Sequence, residues 1–221
     1  MPAGYDFATA AAIPLTGLTA WQALTEELEA KPGQTILIPG GSGSFGQMAV
    51  PLARVLGLRV VVTGNARAKD QFVAMGVERY LDYKQENYWE QLSGLDGVID
   101  TLGPAEFDHE LAVLRKGGRL VSLRTGPNKV FAQRHQFPGW KKQLFALAGR
   151  KYDKAAQKQS KEYRFVFVRS DGAQLRKITG IVEQQQIRPA VDDRVFPLEQ
   201  ANEAPQLVAK GPLRGKVILQ M

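Results

Sequence analysis

Residues 35–50 read Thr-Ile-Leu-Ile-Pro-Gly-Gly-Ser-Gly-Ser-Phe-Gly-Gln-Met-Ala-Val. A short apolar, β-branched run stops at Pro39 in a glycine-rich turn, and the spacing turns helical from Ser44. Gly41, Gly43 and Gly46 form a GxGxxG that ends a strand and opens a helix. In that setting Gly41 permits the tight turn, Gly43 lets the backbone approach a diphosphate, and Gly46 lets helix and strand pack closely. The helix's first turn, with Ser44 and Phe45, offers free N–H groups and a partial positive charge to an anion. Pro51 falls inside the predicted helix but beyond the motif, where a missing N–H and a ring clash predict a kink. A turn that is glycine-rich for steric reasons alone is the competing reading.

Working outward, the same alternation repeats. Strands are predicted at 35–39, 59–63, 79–83, 97–100 and 119–123, and helical patterns at SFGQMAVPLARVLGL, ARAKDQFVAMG, ENYWEQLS and EFDHELAVLRKGG. The connections are too long for hairpins and the strands are almost wholly apolar, which predicts a parallel sheet covered on both faces. Gly117 and Gly118 are expected to end the fourth helix and feed the fifth strand. After residue 123 the alternation breaks for about forty residues into a loop and basic helices, with Trp140, Leu144, Phe145 and Leu147 at helical spacing. RFVFV at 164–168 reads as a sixth strand and DGAQLRKITGIVEQQQI as a sixth helix. The tail gives a strand near 190–197, a helix near 199–210 and a last strand, KVILQ. The expected fold is α/β: a Rossmann-like, doubly wound, parallel six-stranded sheet with helices on both faces and a short C-terminal strand-helix-strand tail.

Composition narrows the chemistry. The chain has 221 residues, 44% hydrophobic and 23% charged, an ordinary globular balance that excludes disordered and coiled-coil readings. With no cysteine, a disulfide framework, a thiolate nucleophile and a Cys-type zinc site are ruled out, and two histidines, His109 and His135, are too few for most metal sites. No metal is expected. No apolar run approaches membrane-spanning length, so a soluble, cytoplasmic protein with no membrane partner is the default. The formal net charge is +7, and residues 125–164 hold ten basic side chains against two acidic ones.

The end of the second strand bears on cofactor choice. An NAD-preferring site places an acid there, about 20 residues past the glycines. This chain reads Thr63-Gly64-Asn65-Ala66-Arg67-Ala68-Lys69, with no acid before Asp70. Arg67 and Lys69, beside the small polar Thr63 and Asn65, suit an adenosine 2′-phosphate, and NADP(H) is expected over NAD(H). The alternative is that both cations solvate the next helix's first turn.

These stretches, together with AAAIPLTGLTAWQAL (10–24), PGQTILIPGGSGSFGQMAV (32–50), DYKQEN (82–87), GVIDTLG (97–103), LRKGGRLVSL (114–123), IRPAVDDRVFPLEQANEA (187–204) and GKVIL (215–219), resemble the zinc-independent, quinone-oxidoreductase-like branch of the medium-chain dehydrogenases/reductases. The resemblance spans nearly the whole chain in the family's order. It implies that Thr19 lies close to the nicotinamide and Tyr83 beside the adenosine phosphate. It also places Thr101, Leu102 and Gly103, and Leu123 to Gly126, at the crevice formed by the carboxyl ends of the strands. Hydride transfer from NADPH to a quinone or an activated alkene or carbonyl is the implied activity; no acid or base is nominated for it. The resemblance divides the chain into a linking helix region (1–30), a dinucleotide-binding domain (31–187) with a basic helical insertion (125–162), and a remnant of a catalytic domain (188–221). The N-terminal catalytic domain is expected to be missing, which leaves the tail strands unpaired. In the family a sixth-strand edge pairs across a two-fold axis, so a homodimer is expected. A truncated, silent module that still binds NADPH or a partner is the alternative.

Other chemistry is weaker. His109, with Asp108 and Glu110, reads as an exposed helix face, and His135 as a solvated side chain. Ser42 and Ser44 do not fit a nucleophile elbow. In the basic segment Phe131, Phe137, Trp140, Phe145 and Tyr152 interleave with cations, which leaves single-stranded nucleic acid as a rival partner, although helical spacing of aromatics usually means core packing.

Overall fold

The computed structural model describes residues 1–211, 213 and 215–220. Two N-terminal helices, α1 (Phe7–Ala11) and α2 (Pro14–Gln22), lead through one π turn to β1 (Thr35–Ile38). Then follow α3 (Ser44–Val55), β2 (Arg59–Gly64), α4 (Lys69–Ala74), β3 (Arg79–Asp82), α5 (Tyr88–Gln91), β4 (Leu95–Asp100), α6 (Phe107–Ala112) and β5 (Leu114–Ser122). The basic segment forms α7 (Lys129–Arg134) and α8 (Gly139–Lys158), ahead of β6 (Glu162–Phe165) and α9 (Gly172–Gln185). The tail forms β7 (Val191–Pro197), α10 (Glu203–Lys210) and β8 (Lys216–Gln220).

The first six strands make one parallel sheet in the order β3-β2-β1-β4-β5-β6. The order reverses between β1 and β4, and in doubly wound sheets the crevice at that reversal, outside the carboxyl ends of the strands, is where ligands bind. Successive strand residues face opposite sides. Ile36, Ile38, Val60, Val62 and Ile99 therefore pack with Trp21, Met48, Leu52 and Ile178, while Leu37, Val61, Val98 and Leu120 pack with Phe107, Leu111 and Ala156. Both faces are covered by apolar side chains, as the unbroken apolar strands require.

Four expectations need correction. The fourth helix stops at Ala112 instead of reaching Gly118. Leu114 already pairs with Leu95, residues 115–118 bulge out before Arg119 pairs with Gly97, and Gly117 sits at φ +73°, which no right-handed helix holds. The sixth strand spans 162–165, not 164–168: Arg119 binds Glu162 at 2.9 Å and fixes the register, buried Tyr163 follows, and Phe167 is outside the sheet and exposed. The tail strands are not unpaired, since β7 and β8 pair with each other in parallel as a separate two-stranded sheet. Finally, Glu110 is not on an exposed face. It lies three residues from buried Phe107, on the same side of α6, and is fully buried.

The aromatics of the basic segment also turn inward. Phe131 meets Phe145 and Phe165 edge-on at 5.7 and 5.4 Å, and Tyr152 packs on Phe107 and Tyr163. Of the aromatics that suggested base stacking, Trp140 is the one left mostly exposed.

Candidate functional site

The glycine turn is shaped by what a side chain would strike. At Gly41 a Cβ would stand 2.7 Å from the Ile38 carbonyl oxygen, and at Gly46 1.7 Å from that of Gly41. Gly46 therefore closes the turn on itself, rather than on the neighbouring strand as the motif alone suggests. Gly43 differs: nothing lies within 4 Å of its Cβ position, and its φ of −84° is open to any residue. The space beside it is the room a ligand would need. Gly43 is also the N-cap of α3 and supplies no side-chain cap, so the N–H groups of Ser44, Phe45 and Gly46 keep their capacity to bind an anion.

Two threonines brace this turn from either side. Gly40, at φ +64°, donates its N–H to Thr63 Oγ1 at 2.9 Å, and Thr101 Oγ1 donates to the Pro39 carbonyl at 2.6 Å. Thr63 is buried, so its hydroxyl holds the loop.

Beneath the crevice lies a carboxylate that sequence reading passed over. Asp100, at the end of β4 and fully buried, accepts from the N–H groups of Leu102 and Gly103, both at 2.7 Å. Its other oxygen accepts from Ser122 Oγ at 2.5 Å and Thr125 Oγ1 at 3.1 Å. One carboxylate thus ties together the loops after β4 and β5, including Gly103, whose φ of +99° the Leu102–Gly103 turn requires. An acid closing an otherwise apolar strand, GVID, was the available signal. Glu110 is close by, and no hydrogen bond reaches either of its oxygens among the described residues. Burial, helped by the Asp100 charge, pushes its carboxyl up to about 10.

At the other end of the crevice is a cleft of about 1200 Å³, walled by Ser42, Asn65, Arg67 and Lys84 on the sheet side and by Asp192 and Arg194 of β7 on the tail side. Asn65 is held by Tyr80, whose hydroxyl donates to its carbonyl at 2.7 Å. Asp192 is buried and receives Arg194 at 2.6 and 2.8 Å. Of the two cations expected here, Arg67 lines the cleft, whereas Lys69 opens α4 and is outside its wall; Lys84, just past β3, lines it as well. Tyr83 and Thr19 are also outside this wall. Tyr83 is exposed, and Thr19 returns its hydroxyl to the Leu15 carbonyl at 2.7 Å.

The histidines stand apart. His109 stacks on Trp89 with ring centroids 3.8 Å apart and faces Glu106 at 3.5 Å. His135 lies against Phe131, and burial holds its imidazole below the usual range. No three His, Asp or Glu side chains come together as metal ligands among the described residues.

Residues 75–219 match the family model described as zinc-binding dehydrogenase. The chain is 30% identical to the mitochondrial NAD(P)H oxidoreductase RTN4IP1 of Danio rerio over 223 residues, 96% of this chain and 56% of that protein. Three mycobacterial polyketide synthases are 36% identical over 131 or 132 residues, 56% of this chain and 6–8% of theirs. Among solved structures, the quinone oxidoreductase from Coxiella burnetii is 25% identical with a TM-score of 0.78, covering 98% of this chain and 62% of that one. The quinone oxidoreductase from Thermus thermophilus, solved also in complex with NADPH, is 26% identical with a TM-score of 0.71, covering 100% of this chain and 68% of that one. The chain spans 48–64% of the length of the oxidoreductase relatives it matches.

Proposed function

The chain belongs to the zinc-binding dehydrogenase family, and from that premise we propose that it holds NADPH along the β1–β4 crevice for reduction of a quinone or an activated alkene or carbonyl. The observation that carries this reading is the open face of Gly43 at an uncapped helix N-terminus, with Arg67 and Lys84 in the adjoining cleft. The first-turn N–H groups of α3 would take the diphosphate. Arg67 and Lys84 would take the 2′-phosphate; the loop after β2 holds no acid before Asp70, and the acids that do line the cleft are Asp82 beside Lys84 and Asp192 and Asp193 across it on β7. Asp100 would keep the loops after β4 and β5 in place around the nicotinamide end. When bound, the cofactor supplies the hydride, from nicotinamide C4 to the electrophilic carbon of the substrate. The quinone oxidoreductases among the similar structures support that substrate class.

Zinc does not fit the residues present. The sequence holds no cysteine, and the two histidines sit on α6 and just past α7, each against aromatic rings.

Titration of both cofactors tests the proposal. NADPH is expected to bind more tightly than NADH, and Arg67→Ala to weaken NADPH by about tenfold while leaving NADH nearly unchanged, the loss of one charge-assisted contact. Equal affinities in the unaltered chain would overturn it.

A further inference from the structure

The basic helix α8 takes no part in the crevice; none of its residues lines the cofactor cleft. Its inner side is accounted for. Phe145 packs on Phe131, Gly149 lies so close to Asn128 that a Cβ would stand 2.5 Å from the Asn128 Cβ, and Ala156 is buried. Asp153, the one acid of the helix, accepts from Asn128 Nδ2 at 2.6 Å.

The outer side is different. Trp140, Leu144, Leu147, Lys151, Lys154 and Lys158 follow at spacings of 4, 3, 4, 3 and 4 residues, which puts them on one azimuth of the helix. The three apolar side chains are 62%, 57% and 69% exposed, and the lysines are exposed as well. Arg150 flanks the line, and Lys141 sets its ammonium 5.3 Å from the centre of the Trp140 ring. The result is a stripe of roughly 27 Å, apolar at its N-terminal end and cationic along the rest, with no acid on it.

Each candidate occupant faces the same charge test. A second copy laid antiparallel would set lysines on leucines, and one laid parallel would set lysines on lysines; both are unfavourable, so the occupant is anionic. A single convex helix offers no concavity for a shaped partner, and its cations ride on flexible stems without directed geometry. That suits a flat, deformable surface of many negative groups, with Trp140 at the depth where indole rings are enriched. No helix among the described residues is long and apolar enough to cross a membrane; lying on one asks only for this stripe.

We propose that the exposed face of α8 docks the protein on anionic lipid bilayers, with Trp140, Leu144 and Leu147 entering the interface and Lys151, Lys154 and Lys158 meeting the headgroups. Co-sedimentation of the full chain with vesicles tests this. Binding is expected to phosphatidylcholine vesicles containing phosphatidylserine but not to phosphatidylcholine alone, and to fall as salt rises. The reversal Lys151→Glu, Lys154→Glu, Lys158→Glu and, separately, the truncation Trp140→Ala, Leu144→Ala, Leu147→Ala should each lower the partition coefficient by about tenfold or more. Since all six side chains are exposed, both variants should keep the parent circular dichroism. Absence of binding to the anionic vesicles, or binding that survives the lysine reversal, would overturn the proposal. Equal retention by soluble polyglutamate, indifferent to loss of the apolar three, would also overturn it and assign the stripe to an acidic polypeptide instead.

Discussion

Among single residues, the glycines of the turn separate into two kinds that the motif does not distinguish. Gly43→Val places its side chain in open space and should leave the fold intact while abolishing NADPH binding; Gly46→Ala drives a methyl into the Gly41 carbonyl and should cost about 3 kcal/mol in chemical denaturation whether or not cofactor is present. Retained binding in a folded Gly43→Val protein would remove the diphosphate from this site. Glu110 yields a second test. Its folded pKa, about 10, is above the ordinary carboxyl value, so the folded state keeps a proton that the unfolded chain has released. The contribution of this group is fully present below the unfolded pKa and declines as pH rises toward 10, by up to about 1.4 kcal/mol per pH unit. Glu110→Gln should flatten that decline and be the more stable protein at pH 8–9, as read from denaturation midpoints; identical pH profiles for the two proteins would refute a buried proton. Asp100 carried a signal in the apolar run GVID that it closes, whereas Glu110 carried none: a carboxylate on a helix reads as solvated until the fold shows which neighbours enclose it.

Elements were legible in proportion to how local their causes are. The five strands ahead of the basic segment and the helices between them follow from alternation of apolar runs with turn residues; four stand where the pattern put them to within two residues, and the fifth begins five residues early, at Leu114. The errors fall where long-range pairing decides. Gly117 and Gly118 look like a helix end, but Leu114 finds Leu95 first and the glycines become the bulge that returns the strand to register. Phe165, Phe167 and Val168 make a convincing strand on their own, yet the ion pair of Glu162 with Arg119 draws the strand two residues back. β6 is consequently a sheet edge, with exposed Phe167 next to it. Such an edge can be covered by two-fold pairing with its own copy, and light scattering at micromolar concentration is expected to give a dimer. A monomer throughout that range would rule this out.

For the molecule as a whole, charge, layer order and the crevice at the carboxyl ends of the strands were readable early, and the adjoining cleft against the tail was not. That cleft depends on where β7 returns, which is set by its pairing with β8 and by the Ala190 N–H that donates to Gln47 Oε1 at 2.7 Å. Of the residues expected around the cofactor, the glycines and Arg67 assemble at the crevice and its cleft, with Thr63 and Thr101 bracing the turn. The separate sheet of β7 and β8 has a kinetic consequence. Six parallel strands packed on both faces open only when the whole domain unfolds, whereas two strands paired mainly with each other have few bonds to break. Deuterium should therefore enter Val195 and Ile218 far sooner than Leu37 and Val98, and uniform protection would contradict this. If the proposed dinucleotide binds in this cleft, the side that carries Asp192 and Arg194 would open on a clock of its own while the glycine turn stays fixed, a route in or out that leaves the central sheet's hydrogen bonds intact.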